Sequence, residues 1–444
     1  GSLRIRQDYM IAQALTKDPF VSENHSDRML ELAIARIRQL SAHEIGHTIG
    51  FAHNFAASTN KRASVMDYPH PLVKINDGEI VFDDAYDTGI GDWDKVTVAY
   101  SYSDFKSDQN EDDELNKILE DATKDGLRFI SDYDARSLDG SHAYAHLWDN
   151  GDTAYSGLDK VIEIREKAIQ NFSQYNVPRG TPNSVLEDVF VPLYFFHRYQ
   201  TEATAKIIGG MDYNYSLVGD NQKQFHYLDK DNQINALNSL LRTLSPSFLA
   251  IPKDKLKLFP PRAFGYPRTR ESFKSNLAVA FDPFSVSETS ADMTLSLILR
   301  PKRLNRLVLQ NSIDSSNLSL NELYSFLINN TILKKQYDWM INDVYHSEVQ
   351  HIVNTRLLKN IFTVINNSNT FSQVKSISYD NLKKITSELS SKKSKKYYSS
   401  YSNYYLKMIT DFYDDPDEYK TKDSLKIPDG SPIGSDNCNF IPIK

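Results

Sequence analysis

The stretch His43-Glu44-Ile45-Gly46-His47-Thr48-Ile49-Gly50-Phe51-Ala52-His53 brings three imidazoles and a carboxylate together. Histidines 43 and 47, four apart, fall on one helical face a turn from each other, so both rings can reach a single ion. Glu44, beside the first histidine, is placed to take a proton from water at the metal rather than to bind it. Gly50 lets the chain leave the helix through backbone angles that a side chain resists, and that turn can swing His53 back as a third ligand. Three imidazoles and an open fourth position form a catalytic zinc arrangement, whereas a structural zinc is closed by four protein ligands. The expected cofactor is therefore Zn2+, with His43, His47 and His53 as ligands and Glu44 as general base. Five fixed positions match by chance in roughly one chain of this length in 10⁴ to 10⁵. An accidental version of the pattern would also leave a buried Glu44 without a partner, which is costly.

Ser64-Val65-Met66-Asp67-Tyr68-Pro69 follows shortly afterwards. Together the two stretches resemble the metzincin metalloproteases, which carry a methionine-containing turn below the zinc. Met66 matches that methionine. The resemblance implies that Tyr68, two places on, sits near the metal and stabilises the tetrahedral intermediate; read alone, Tyr68 is equally a packing residue among 26 tyrosines. The runs Asp87-Thr88-Gly89-Ile90-Gly91-Asp92-Trp93-Asp94-Lys95, Gly180-Thr181-Pro182, Phe190-Val191-Pro192-Leu193-Tyr194, His197-Arg198-Tyr199-Gln200 and Gly430-Ser431-Pro432-Ile433-Gly434 extend the likeness. They are similar to the large bacterial zinc-dependent proteases called Met-zincins, which have a long helical region after the active site. The resemblance implies a protein or peptide substrate.

The composition excludes several other classes. The net charge is −7, from 51 basic and 58 acidic side chains, without a basic stripe, so nucleic acid is not the expected partner. No apolar run reaches membrane-spanning length. A single cysteine, Cys438, rules out an internal disulfide framework. Only 42 residues precede His43, less than the β-sheet subdomain that metzincins place before the zinc helix. The resemblance thus implies the C-terminal part of a longer exported precursor (periplasmic, cell-surface or secreted), with its signal peptide upstream and a cleavage site assembled only in part.

Several elements must position the motif. A helix starting near Ser26-Asp27 carries Leu30, Ile34, Ile37, Leu40 and Ile45 at helical spacing, a stripe expected to face the core. A hairpin is expected around Asp77-Gly78 and a helix from Trp93. The acidic run Asp104, Asp108, Glu111, Asp112, Asp113 and Glu114 reads as a solvated linker and helix start, without EF-hand spacing. Helices are expected at 157–175 and at 183–208, the second capped by Thr181, opened by Pro182 and stopped at Gly209-Gly210. A strand at 211–218 and helices at 230–244, 285–299, 319–331, 338–365, 377–390 and 400–413 follow. The expected fold is mainly α: a metzincin-like zinc helix and Met-turn, then a multi-helix region with few short strands. Residues 1–105 would complete the catalytic domain, 106–250 form a helical domain and 251–444 a C-terminal helical domain, with a Pro-rich boundary at 245–270.

Other polar residues have a bland reading and a functional one. Asp67 and Asp94 are possible carboxylate partners for a ligand histidine, and Asn54 can bond the backbone after the turn. His142 and His146, four apart, read as surface or packing histidines. His197, Arg198 and Glu202 read as a structural network, with a place in the active-site wall as the rival. Lys392-Lys393-Ser394-Lys395-Lys396 and the tyrosines after it read as an exposed loop and packing helix. The function expected is zinc-dependent endopeptidase. A non-catalytic helical scaffold with an incomplete or degenerate protease site is the alternative, and an amidase of cell-wall peptides is a third reading. Metal loss below about pH 6 is expected as the histidines protonate.

Overall fold

Helix α2, Glu23–Thr48, carries the first two histidines. At about 1.5 Å per residue it is a long rigid support. It begins earlier than the expected Ser26-Asp27, and α1, Ser2–Leu15, packs along it. In the computed structural model the described residues are 2–21, 23–220, 222, 224–268, 272–334, 343–391, 399–416 and 423–428. The basic run 392–396 with tyrosines 397 and 398, the run 430–434 and Cys438 lie outside them.

The apolar stripe of α2 is not core. Leu30, Ile34, Ile37 and Ile45 are 55%, 44%, 43% and 60% exposed, and Leu40 is half-buried. The buried face lies one step round the helix and includes Met29, Leu32, Ala33, Arg36, Gln39, His43 and Gly46. Arg36 pairs there with Asp8 of α1 at 3.7 Å and donates to the Gln39 amide. Periodicity reveals that a helix has an apolar stripe, but neighbouring elements decide which face is covered.

After the motif, β1 (Lys74–Asn76) and β2 (Glu79–Val81) form the expected antiparallel hairpin. Asp77 and Gly78 both have positive φ, 51° and 80°, the backbone of a two-residue primed turn. Helix α3, Asp92–Tyr102, begins next to the expected Trp93. Helix α4, Glu111–Lys124, explains the acidic run: four acids fill its first turn, at the positive end of the dipole, and Asn110 caps it.

The expected helix 183–208 is broken in two. A 3-10 turn, Asn183–Val185, leads into α7, Leu186–Tyr194, and α8 runs over Arg198–Ile207. Pro192 lies inside α7, where it has no N–H to donate back along the helix. Phe195, Phe196 and His197 at the break are nevertheless buried. The expected stop holds, with Gly209 at φ 60°. Met211–Tyr213 and Phe225–Tyr227 pair as the second hairpin, so the strand expected over 211–218 is shorter.

These are the only two sheets among the described residues, and the fold is mainly α. The largest core joins α8 and α9 (Lys230–Arg242) to the later helices, including Pro283–Ile298 and Val344–Asn366. Helix Pro301–Ile313, absent from the sequence reading, contributes Leu304 and Leu307 to it. A smaller aromatic core, with Phe55, Tyr68, Trp148 and Tyr199, contacts the motif. No helix among the described residues is long and apolar enough to cross a membrane.

Candidate metal centre

The rings of His43, His47 and His53 converge, with one nitrogen of each lying within 4.8 Å of the others. Gly50 makes this possible. At φ 93° it takes the chain out of α2, and the Phe51 amide returns to the Gly46 carbonyl at 3.0 Å. His53 Nε2 thereby comes 3.1 Å from His47 Nε2. Two nitrogens on a tetrahedral zinc lie about 3.3 Å apart, so the spacing suits a shared ion.

Each ring is fixed by its other nitrogen. His43 Nδ1 donates to the Val65 carbonyl at 2.7 Å and His47 Nδ1 to the Phe51 carbonyl at 2.9 Å. His53 Nδ1 donates to the Asp132 carboxylate at 2.9 Å. The three protons are thus committed outward, which leaves Nε2 lone pairs facing one another. His43 Nε2 is buried with no hydrogen-bond partner. A cation in the middle satisfies all three, which is the fit that a zinc site requires. Burial, with the neighbouring histidines and Arg36, lowers the His43 pKa to about 4 against the Val65 hydrogen bond, keeping the ring neutral as a ligand must be.

That shift has a consequence for the metal-free protein. Unfolded, His43 takes up a proton near its ordinary pKa of 6.5; folded, it does so only near 4. The unfolded state therefore binds the extra proton between those values. Stability conferred by this group is full above pH 6.5, falls as the pH drops, and levels off below about 4. Denaturation of the chelator-treated protein is expected to follow that window. A His43→Gln variant with an unchanged pH profile would remove the assignment.

The Met66 turn is tied to the histidines by hydrogen bonds. Asp94, buried at the start of α3, accepts from Ser64 Oγ at 2.6 Å, the Val65 amide at 2.8 Å and the Gly91 amide at 2.7 Å. It therefore holds the residue whose carbonyl orients His43. Met66 is buried against Gly46, where a Cβ would lie 2.2 Å from Met66 Sδ. Gly46→Ala is expected to cost about 1–3 kcal/mol through overpacking. Chemical denaturation should show part of it recovered in Gly46→Ala/Met66→Ala; equal losses in both would place the strain elsewhere.

Of the two carboxylates proposed from sequence to orient a ligand, neither bonds one directly. Asp94 acts through Val65, and Asp67 meets the Tyr68 amide at 2.6 Å. The direct partner is Asp132, 79 residues beyond His53. Asn54 brings it there: its Nδ2 donates to the Arg128 carbonyl at 2.7 Å and its Oδ1 accepts from the Ile130 amide at 3.3 Å. The Phe55 amide adds a bond to the Ile130 carbonyl at 2.8 Å. Nothing local in the sequence marks Asp132, since its role depends on that long-range pairing. Burial raises its pKa, but the His53 bond and the Arg136 guanidinium outweigh this and hold it well below the usual carboxylate range.

Tyr68 is buried and lies beside the histidines, its ring 4.9 Å from that of His43 and 4.8 Å from that of His53. Trp148 stacks on it at 4.9 Å and 9°. Trp148 has φ 69°, rare for a bulky residue, and its amide donates to the Tyr68 carbonyl at 2.8 Å. Burial raises the Tyr68 pKa while Arg136 opposes it, so the phenol keeps its proton at neutral pH. Glu44, on the exposed side of α2, is close enough to act electrostatically on that phenol.

The remaining histidines have other uses. His142 donates to the Tyr213 carbonyl at 2.8 Å and accepts from the Tyr144 amide at 3.2 Å. His146 lies 3.4 Å from Glu202. Both are buried, which corrects the surface part of the sequence reading. His197 packs in the core against Phe248, with Ser290 Oγ 3.3 Å from its Nε2. A cavity of about 740 Å³ is lined by residues of β1 and α6 (Ala154–Asn171) among others and includes none of the three ligand histidines.

Three converging histidines able to hold a metal ion, on a mainly helical chain with a methionine-bearing turn against them, point to a metzincin-type zinc metalloprotease. The model of the Met-zincin family matches residues 25–338, most of the chain, and the chain belongs to that family. Comparison with curated proteins and with solved structures gives no match.

Proposed function

We propose that this chain is a zinc-dependent endopeptidase with His43, His47 and His53 as the metal ligands. The observation that carries the reading is the convergence of three Nε2 lone pairs, each ring held by a committed Nδ1–H. Zinc bound there supplies Lewis acidity and makes water a nucleophile near neutral pH. Glu44 takes the proton that water loses and returns it to the leaving amine. Tyr68, protonated and oriented by Trp148 and Arg136, donates to the oxyanion that develops on the scissile carbonyl. Met66 fills the space under the helix, and Asp132 fixes the His53 tautomer.

The exposed apolar stripe of α2 supports a further part of the reading. We infer that it packs against an upstream β-sheet subdomain that holds the extended peptide by strand addition, and that the protein acts outside the cytoplasm. The test is cleavage of casein by the zinc-loaded protein, with and without the upstream region of its precursor, beside peptidoglycan fragments. New peptide termini from casein support the endopeptidase. Release from peptidoglycan alone makes it an amidase, and zinc binding without cleavage in either form leaves a binding scaffold.

Outer partners have their own prediction. Asp132→Asn is expected to weaken zinc about 10–100-fold, as is typical when a ligand histidine loses its orienting carboxylate. Competition with a chromogenic chelator measures it, and unchanged affinity would remove Asp132 from the site.

A further inference from the structure

Asp132, which fixes His53, sits on no long element. It opens a single helical turn, Asp132–Ala135, and its side chain is 36% exposed, so packing alone does not place it. Its carboxylate is set within the turn by its neighbours, accepting from Ser131 Oγ at 3.2 Å and from Arg136 Nε. The direction it takes toward His53 therefore follows the orientation of the turn. Asn54 and Phe55 hold the chain before that turn, and Lys206 Nζ donates to the Ala135 carbonyl at its far end.

Between these points the turn is clamped from the second hairpin. Both oxygens of Asp134 accept from phenols about 80 residues away, Oδ1 from Tyr213 and Oδ2 from Tyr215 at 2.5 Å. The Tyr215 hydroxyl also accepts from the Ser131 amide at 3.2 Å. Ser131 is the N-cap, and its own side chain makes no cap bond. In a capping box, an acid three residues on reaches the N-cap amide directly. Asp134 stands at that position, and the Tyr215 hydroxyl is inserted between the two groups.

Tyr215 is itself held in place. Its ring meets Phe129 edge-on at 6.1 Å, and Phe129 stacks on Trp93 at 5.6 Å and 13°. Trp93 lies on α3 beside Asp94, which holds the Met66 turn. Arg128 adds a bond to Asp212 and another to Asn214 at 3.3 Å. We infer that Tyr215, with Tyr213, is a positioning residue for the metal centre: through Asp134 and the Ser131 amide it aims the Asp132 turn, and thereby the imidazole of His53. The inference rests on the three-histidine reading and adds a support that lies far outside the motif. Burial and the bonds to Asp134 raise both phenols, Tyr215 to about 12, so both donate at neutral pH.

A double-mutant cycle on zinc affinity, measured by chelator competition on the whole chain, tests this. Tyr215→Phe removes one hydroxyl and keeps the ring against Phe129. It is expected to weaken zinc about three- to tenfold, the scale of one hydrogen bond. Tyr213→Phe/Tyr215→Phe should approach the loss in Asp132→Ala, about 10–100-fold. In an Asp132→Ala background the same tyrosine changes should cost nothing further, because no side chain remains to be aimed. Tyr227→Phe, on the paired strand, is the control and should match the wild type. A merely structural role would lower zinc affinity equally in both backgrounds. Such additivity, or wild-type affinity in the double tyrosine variant, would overturn the inference. Should that variant not fold, Tyr215→Phe alone carries the cycle. Zinc bound by the wild type, lost in His53→Ala and indifferent to the tyrosines overturns this inference alone. No zinc in the wild type overturns the three-histidine reading and this inference with it.

Discussion

His53→Ala is expected to strip zinc from the protein while leaving its helices in place. His53 lies beyond the end of α2 at Thr48, so its ring supports no helical turn. The neighbouring backbone is held independently by Asn54 and Phe55, which pair with the Arg128–Ile130 segment. Without His53, the ion keeps two imidazoles from one helical face, and Asp132 loses the group it orients. Affinity should fall by more than the roughly 10–100-fold typical of losing only an outer partner. Elemental mass spectrometry of the purified protein and variant measures this, with circular dichroism to follow helix content. One zinc per chain in the wild type and little in the variant is expected. Equal zinc in both would sink the three-histidine assignment. Zinc in neither, even after incubation with excess metal, would mean that the three histidines do not form a zinc site in this protein.

Glu44→Ala should have the opposite signature: zinc retained and peptide hydrolysis lost. Glu44 follows His43 directly on α2, yet points to the exposed side and is not among the three converging groups. Its removal takes away a proton acceptor without touching a ligand. General bases contribute about 10²–10⁴-fold to rate, and a loss within that range is expected. Glu44→Gln, which keeps the shape, should be equally inactive. Cleavage at the wild-type rate in zinc-loaded Glu44→Ala would rule out this role. A fall in rate accompanied by metal loss would make Glu44 structural instead.

The two variants together separate holding the metal from using it. Asp132→Asn should fall between them, with weaker zinc and activity that returns when zinc is raised.

The motif was legible because its geometry is local. Four-residue spacing on a helix and a glycine exit set where three rings go, and neither depends on distant chain. The Asp77-Gly78 turn and the stop at Gly209-Gly210 were legible for the same reason, since glycine at a positive φ is a backbone requirement. The break at Phe195–His197, between α7 and α8, was not legible, since those residues are as apolar as the helices they join and are buried. Helix Pro301–Ile313 was also readable in principle from its proline at the first turn and Leu304 and Leu307 three apart.

By itself, then, the sequence marked the three histidines that converge, the predominance of helix and the likeness to the family. Only the tertiary structure decided which face of α2 is buried, which carboxylate orients His53 and where Asp67 points. Those choices depend on which surfaces meet across tens of residues. Side-chain periodicity repeats along one element and carries no address for its partner. Asp132 reaches His53 only because the folded chain brings distant segments together.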